Sequence, residues 1–509
     1  MSNDGERRQV KQVRSGSVRA RAGDGVRERP LLPASNAPDI VSAARLNPAT
    51  LDALFAIVPW PPGAAALRRL PESARWRELE AHTPPRAGAV RTTVLAGRRH
   101  TVAVLGYLAS DASAFERLSL AGRMLKEAAA RAPQDIGLAA AGPAGTARAA
   151  LEALLAAALA HAFALPSWRA PAHGERRIRR VEVLNDVGLD TRYAAAVARG
   201  TNLARWLTAL PPNILDARGY RRVITTLART HRLTLRWLDE RALRRAGANA
   251  FLAVAAGNAG SGAGIAHLRY RPARGRRAAP PEVALIGKGI LFDTGGINLK
   301  THRSMLDMHT DMAGSAVALA TLLALAELRA PLAVDAWLAI TENRIGPHAY
   351  RPQEVVRAAN GVTIQVIHTD AEGRMVLADT LALAGRTRPR LMIDFATLTG
   401  ACVHALTERM SGVFSNRPAS TSAAASASGA FRSRPTMTPS SRARSRTSSS
   451  APSMARAITS SRRASCRASW PRARHGCTSI CPRPRARADS RTSRPMSPDS
   501  ASASRSSCC

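Results

Sequence analysis

Two stretches of this chain, VALIGKGILF at 283–292 and LAVDAWLAI at 332–340, are apolar at nearly every position, and one long helical pattern, GSAVALATLLALAELR, separates them. A strand with one wet face alternates apolar and polar residues, whereas a run that is apolar throughout has both faces covered. Helices alternating with such strands meet that demand in a mostly parallel sheet, so these segments commit the chain to an α/β architecture. Further strands are expected at LTLRWL, IAHLRYR, VTIQVIH and RLMIDFA, with helices over 218–231, DERALRRAG and RMVLADTLALAGR. The helical pattern RYAAAVARGTNLARWLTAL must stop at Pro211 and Pro212, because proline cannot continue the backbone bonding.

Upstream, LDALFAIVPW, AVRTTVLAG and HTVAVLGYL accompany helix-like segments such as FERLSLAGRMLKEAAARA, the pattern of a smaller α/β domain. The expected organisation is a flexible arm over 1–40, a small α/β domain over 41–165, a larger catalytic α/β domain over 166–417 and a tail over 418–509. A helix around 146–165 would link the domains, and the second would open near RIRRVEVLNDV. The tail holds 17 arginines, two acidic residues and five of the six cysteines, with few apolar side chains to offset the entropy of ordering. So abrupt a change inside one cooperative unit reads as an incomplete catalytic domain followed by disordered, low-complexity sequence from a shifted reading frame.

The formal net charge of +38 would attract nucleic acid or a membrane surface. Only 4% of residues are aromatic and no nucleic-acid-binding motif is present, so arginine-rich coding is the simpler reading; a non-enzymatic basic nucleic-acid-binding or assembly protein is the rival class. The body contains only Cys402, which excludes a disulfide framework there. A charged start without a following apolar run argues against a secretory signal, and no stretch reads as the roughly 18 apolar residues that span a bilayer. A cytoplasmic enzyme without a membrane partner is the expectation.

Chemistry concentrates in GKGILFDTGGINLK, DMHTDMAGS and HTDAEGRMVLADT, which carry Lys288, Asp293, Lys300, Asp311, Asp370, Glu372 and Arg374. The chain has four lysines among 74 basic residues, and two of them fall here. An amine can lose its proton and ligate a metal, whereas guanidinium cannot. Asp370 and Glu372, two apart, would project to one side of an extended segment. Four converging carboxylates repel one another unless cations hold them ionised, and two divalent ions about 3.5–4 Å apart would do so while clamping an acyl transition state around a shared hydroxide. In that setting neutral Lys288 is a candidate ligand, protonated Lys300 faces the developing oxyanion, and Arg374 organises a small anion or water. His302, His309 and His368 lack zinc-type spacing and read as structural residues or as supports behind the ligands. FDTGG alone resembles an aspartic-protease fragment, but no second DTG or DSG follows.

Together, the motifs GKGILFDTGGINLK and TDAEGRMVLAD resemble those of the leucyl aminopeptidase family of two-metal exopeptidases, over about 180–416. The resemblance implies that Lys288 and Asp311 ligate one metal, Asp370 the other, and that Asp293 and Glu372 are shared. It implies Lys300 as the transition-state lysine, and Arg374 as the holder of a bicarbonate active in proton transfer. In LMIDFATLTGA, Thr397, Leu398 and Gly400 resemble a substrate-positioning loop, and Met308 a wall of the side-chain pocket. The implied substrates are peptides with a free N-terminus, led by leucine or another hydrophobic residue. The implied cofactors are Zn²⁺ or Mn²⁺, and the implied assembly is a homo-hexamer. Thr294, Thr301, Ala313 and His368 depart from the residues common at those positions.

Overall fold

The computed structural model describes residues 30–416, apart from 35–36, 69, 83, 97–98, 169–176, 259, 274–278 and 408–410, together with the backbone of 477–480. Strands β1 (Asp39–Ala43), β2 (Ala53–Trp60), β3 (Val90–Val94), β4 (Val102–Ala109), β5 (Asp135–Ala140) and β6 (Arg180–Leu184) form the first sheet in the order β1-β6-β5-β2-β4-β3. All of its pairings are parallel except β3 with β4. Helices Ala114–Ala129 and Ala144–Ala162 bury Leu120, Met124, Leu151 and Leu155 on one face, against Phe55, Ile57 and Val104. The opposite face carries Leu54, Val58, Leu105 and Tyr107.

Two expectations change here. The strand expected to open the second domain is β6, and it pairs with β1 and β5 in the first sheet. The expected loose arm is anchored from residue 31: Leu31 is fully buried in the core of the second sheet, and the Trp206 indole donates to its carbonyl at 3.0 Å. Burying that side chain offsets the cost of ordering the segment.

The second sheet contains β7 (Thr234–Asp239), β8 (Gly264–Tyr270), β9 (Val283–Asp293) and β10 (Val334–Asn343). Past a small separate hairpin, β11 (Val355–Arg357) with β12 (Thr363–Gln365), it continues with β13 (Leu391–Phe395), β14 (Val413–Ser415) and β15 (Cys477–Ile480). Its order is β14-β15-β13-β9-β10-β8-β7, with a parallel centre and antiparallel pairs at both edges. Alternate residues of the apolar runs serve opposite faces. Leu285, Leu291, Leu338 and Ile340 meet helices Thr191–Ala209, Ala217–Thr230 and Ala313–Glu327, while Ile286, Ile290, Trp337 and Ala339 meet helices Glu240–Arg245, Asn249–Ala255 and Glu372–Gly385. Both faces are covered, as the missing alternation required.

VTIQVIH, expected in this sheet, forms instead one side of the β11–β12 hairpin, with its alternate residues Thr363 and Gln365 exposed. The helical stretch His302–Glu327 is long and apolar enough to cross a membrane, contrary to expectation, yet 61% of its most apolar window is buried inside the protein. Within the tail, the backbone of β15 pairs with β13 and β14; the rest of the expected disordered segment lies outside the described residues.

Candidate metal centre

The site is built where β9, β10 and β13 end. Lys288 sits within β9 on the face covered by helix Glu372–Gly385, and a Cβ on Gly373 would lie 2.8 Å from its Cε, so glycine admits the lysine beneath the helix start. At the end of β9, Asp293 Oδ1 accepts from the Gly295 amide at 2.9 Å. Gly295 and Gly296 take φ of +88° and +67°, and a Cβ on Gly295 would meet Asn298 O at 2.5 Å. This turn closes with the Lys300 amide donating to Thr294 O at 2.9 Å, which returns Lys300 to the cluster. Its Nζ lies 2.9 Å from Asp293 Oδ2 and 2.5 Å from Asp370 Oδ1.

Asp311 follows the single turn Met308–Thr310 and precedes helix Ala313–Glu327. Lys288 Nζ reaches Asp311 Oδ2 at 2.7 Å, Glu372 Oε1 at 2.9 Å and Thr397 O at 2.9 Å. The Thr397 hydroxyl also donates to Asp311 Oδ1 at 2.6 Å. Asp370 lies in the tight turn Thr369–Ala371 and Glu372 begins the next helix, so the extended segment expected here is helical and Arg374 falls in the helix's first turn. The geometry nevertheless brings ligand oxygens of Asp293, Asp370 and Glu372 within 4.8 Å of one another.

Asn343, which sequence reading missed, ties these parts together. It ends β10 opposite Asp293, and its fully buried carboxamide donates to Asp293 Oδ1 at 2.9 Å and Thr369 O at 3.1 Å, with Glu372 Oε2 at 3.5 Å. The available signal was a polar Glu-Asn pair closing an apolar strand beside the one that ends in Asp293. Thr369 is a second missed residue: its hydroxyl donates to Gly295 O at 2.7 Å and its amide to Asn298 Oδ1 at 2.8 Å, locking the glycine turn against the Asp370 turn.

Among the other expected residues, Leu398 approaches Gly373, half-buried Met308 lies three residues before Asp311, and exposed Gly400 precedes helix Ala401–Leu406. His368 Nδ1 accepts from the Asp370 amide at 3.2 Å, a structural role. A cleft of about 350 Å³ opens beside Lys300 and Asp370, lined also by Asn298, Ser304 and His368.

Lys288, Asp293, Asp311 and Glu372 are each no more than 5% exposed. Burial pushes the Asp311 and Glu372 carboxyls up, with the Lys288 ammonium opposing. Burial alone would lower Lys288; Asp311, Glu372 and Asp293 reverse this and hold it protonated. Lys300 behaves alike beside Asp293 and Asp370. Three buried carboxyls and the partly exposed Asp370 outnumber the two lysines, and a hard, oxygen-rich set of this kind fits divalent cations, which would displace the Lys288 proton to gain a nitrogen ligand.

The family model "Cytosol aminopeptidase family, catalytic domain" matches residues 202–470. The chain belongs to the cytosol aminopeptidase family. The match runs past Arg417, where the sequence reading ended the resemblance. Among curated members, the "Probable cytosol aminopeptidase" of Streptomyces coelicolor is 38% identical over 266 residues, 51% of this chain and 50% of that one. The aligned part thus spans about half the length of this family member. A solved structure of the bottromycin maturation enzyme BotP in complex with Mn is 30% identical, with a TM-score of 0.60, over 74% of this chain and 79% of BotP. The tomato leucine aminopeptidase K354E mutant, 24% identical with a TM-score of 0.66 over 79% of this chain and 83% of its own, shares the fold.

Proposed function

We propose that this member of the family is a metal-dependent aminopeptidase that releases a leucine or other hydrophobic residue from the free N-terminus of peptides in the cytoplasm. The observation that carries the reading is the cluster of buried Asp293, Asp311 and Glu372 with the partly exposed Asp370, bracketed by Lys288 and Lys300. In this reading the Lys288 proton would be displaced by the incoming cation, so that the neutral amine and Asp311 would hold one divalent cation and Asp370 the other, with Asp293 and Glu372 shared. Mn²⁺, present in the BotP complex, and Zn²⁺ suit the donor set. Such ions would polarise the scissile carbonyl and make a water nucleophilic near neutral pH.

The chain's own groups do the rest. Lys300, on the cleft side, presents an ammonium where negative charge develops on the carbonyl oxygen. Arg374 stays cationic and would hold an anion such as bicarbonate, which would supply a proton relay between water and the leaving amine. Thr397 keeps Asp311 oriented and, with Leu398, Gly400 and Met308, lines the path of the first side chain. Assembly as a homo-hexamer belongs to the same reading.

The test is release of leucine from Leu-Gly-Gly and from its N-acetylated form, with EDTA and with Mn²⁺ restored. Cleavage of the free peptide alone, and only with metal, is expected. Equal cleavage of both would overturn the exopeptidase assignment.

A further inference from the structure

Consecutive residues at the end of β10 serve two different places. Asn343 enters the metal centre, while Glu342 forms part of a separate cleft of about 480 Å³ whose walls are the loops around Asn213, Gly260 and Arg344. The cleft is built rather than incidental. Gly257 and Gly346 allow two of its loops to meet backbone to backbone, since a Cβ on Gly257 would lie 2.3 Å from Arg344 O and one on Gly346 2.7 Å from Gly257 O. The Asn258 carboxamide, with its nitrogen donating to Ala255 O at 2.7 Å, turns its oxygen to the Ser261 hydroxyl at 3.1 Å and the Glu342 amide at 3.2 Å.

Charges of both signs converge here. Glu342 is 6% exposed, with its Oε2 2.7 Å from the Nε of the largely exposed Arg344. Asp216, at the start of helix Ala217–Thr230, also lines the cleft, and burial together with Asp216 raises the Glu342 carboxyl against the pull of Arg344. Arg218, one wall over, donates to Gly260 O at 2.6 Å.

We propose that this cleft binds a small polar α-amino acid, with its ammonium on Glu342 and Asp216 and its carboxylate on Arg344 and Arg218. A simple cation would meet two guanidinium groups and a simple anion two carboxylates. A ligand carrying both charges one carbon apart satisfies each pair with charge-assisted hydrogen bonds. The rest of the wall is polar, with Asn213 beside the mutually bonded Asn258 and Ser261, so a hydroxyl-bearing side chain suits it better than an aliphatic one.

The experiment is equilibrium dialysis of radiolabelled L-serine against the full chain in EDTA, where an amino acid cannot be held by metal at the other site. Saturable binding of one serine per chain is expected, displaced by unlabelled serine but not by N-acetylserine or ethanolamine, which each lack one charge. E342Q and R344A should each weaken binding by about tenfold or more. R344A alters a largely exposed side chain, so it answers the question even if E342Q fails to fold. Absence of saturable binding, equal displacement by N-acetylserine, or wild-type affinity in R344A would overturn the proposal.

Discussion

Replacing Lys288 by methionine tests whether the lysine holds the carboxylate cluster together before any metal arrives. The change keeps most of the buried stem and removes only the ammonium, which lies 2.7 Å from Asp311, 2.9 Å from Glu372 and 2.9 Å from Thr397 O. Removing one partner from a buried ion pair typically costs about 3–5 kcal/mol, because the charge left behind has neither water nor counterion. Two carboxylates lose their partner here, but both can take up protons, which caps the penalty near that range rather than doubling it. The sign with pH follows from burial, which raises Asp311 and Glu372 even in the intact protein. A carboxyl raised by folding contributes stability that is complete below its unfolded value and lost as pH rises. Without the ammonium this loss becomes steeper. Urea denaturation in EDTA should therefore show K288M about 3–5 kcal/mol less stable than wild type at pH 8 and closer to it at pH 5. Equal stability of the two chains at pH 8, or a gap that widens in acid, would refute the reasoning.

Asn343→Ala removes the carboxamide that orients Asp293 without changing the charge of the site; Mn²⁺ affinity measured by calorimetry should fall by about 10–100-fold, the usual cost of losing a group that orients metal ligands. Asp379 is fully buried in helix Glu372–Gly385, accepting from the amides of Phe251 at 2.8 Å and Ala359 at 2.7 Å, and burial pushes its carboxyl up to about 6 despite those bonds. Its stability contribution is thus complete below its unfolded value near 3.8 and disappears as pH rises through about 6, so wild type should lose up to about 3 kcal/mol relative to D379N between pH 4 and pH 7 in denaturant titrations.

What could be read from the sequence follows from how each part signals itself. The β9 and β10 runs were legible because a parallel strand covered on both faces suspends alternation, and Lys288 and Asp293 were legible because they interrupt that run. VTIQVIH carries the same β-branched composition as a sheet strand, but its exposed alternate residues belong on a hairpin, and composition does not reveal which sheet a strand joins. Strand β6, RVEVL, is short and charged, and its place beside β1 rests on pairing between residues 141 positions apart. Leu31 looked like part of a polar arm because one buried side chain leaves no periodic trace.

Asn343 shows the deeper limit. Its register with Asp293 depends on an irregularity between β9 and β10: Thr341 faces Ile290 while Asn343 faces Asp293, so two residues of β9 oppose the single Glu342. A bulge of this kind re-aims a side chain locally. Without that extra residue Asn343 would face Phe292 rather than Asp293, and the carboxamide would lose its carboxylate. The motif supplies the ligand types, while the bulge supplies the alignment that makes them a site. Glu342, the residue within the irregularity, lines the neighbouring cleft, so the end of one strand supplies residues to both the metal centre and the proposed amino-acid site.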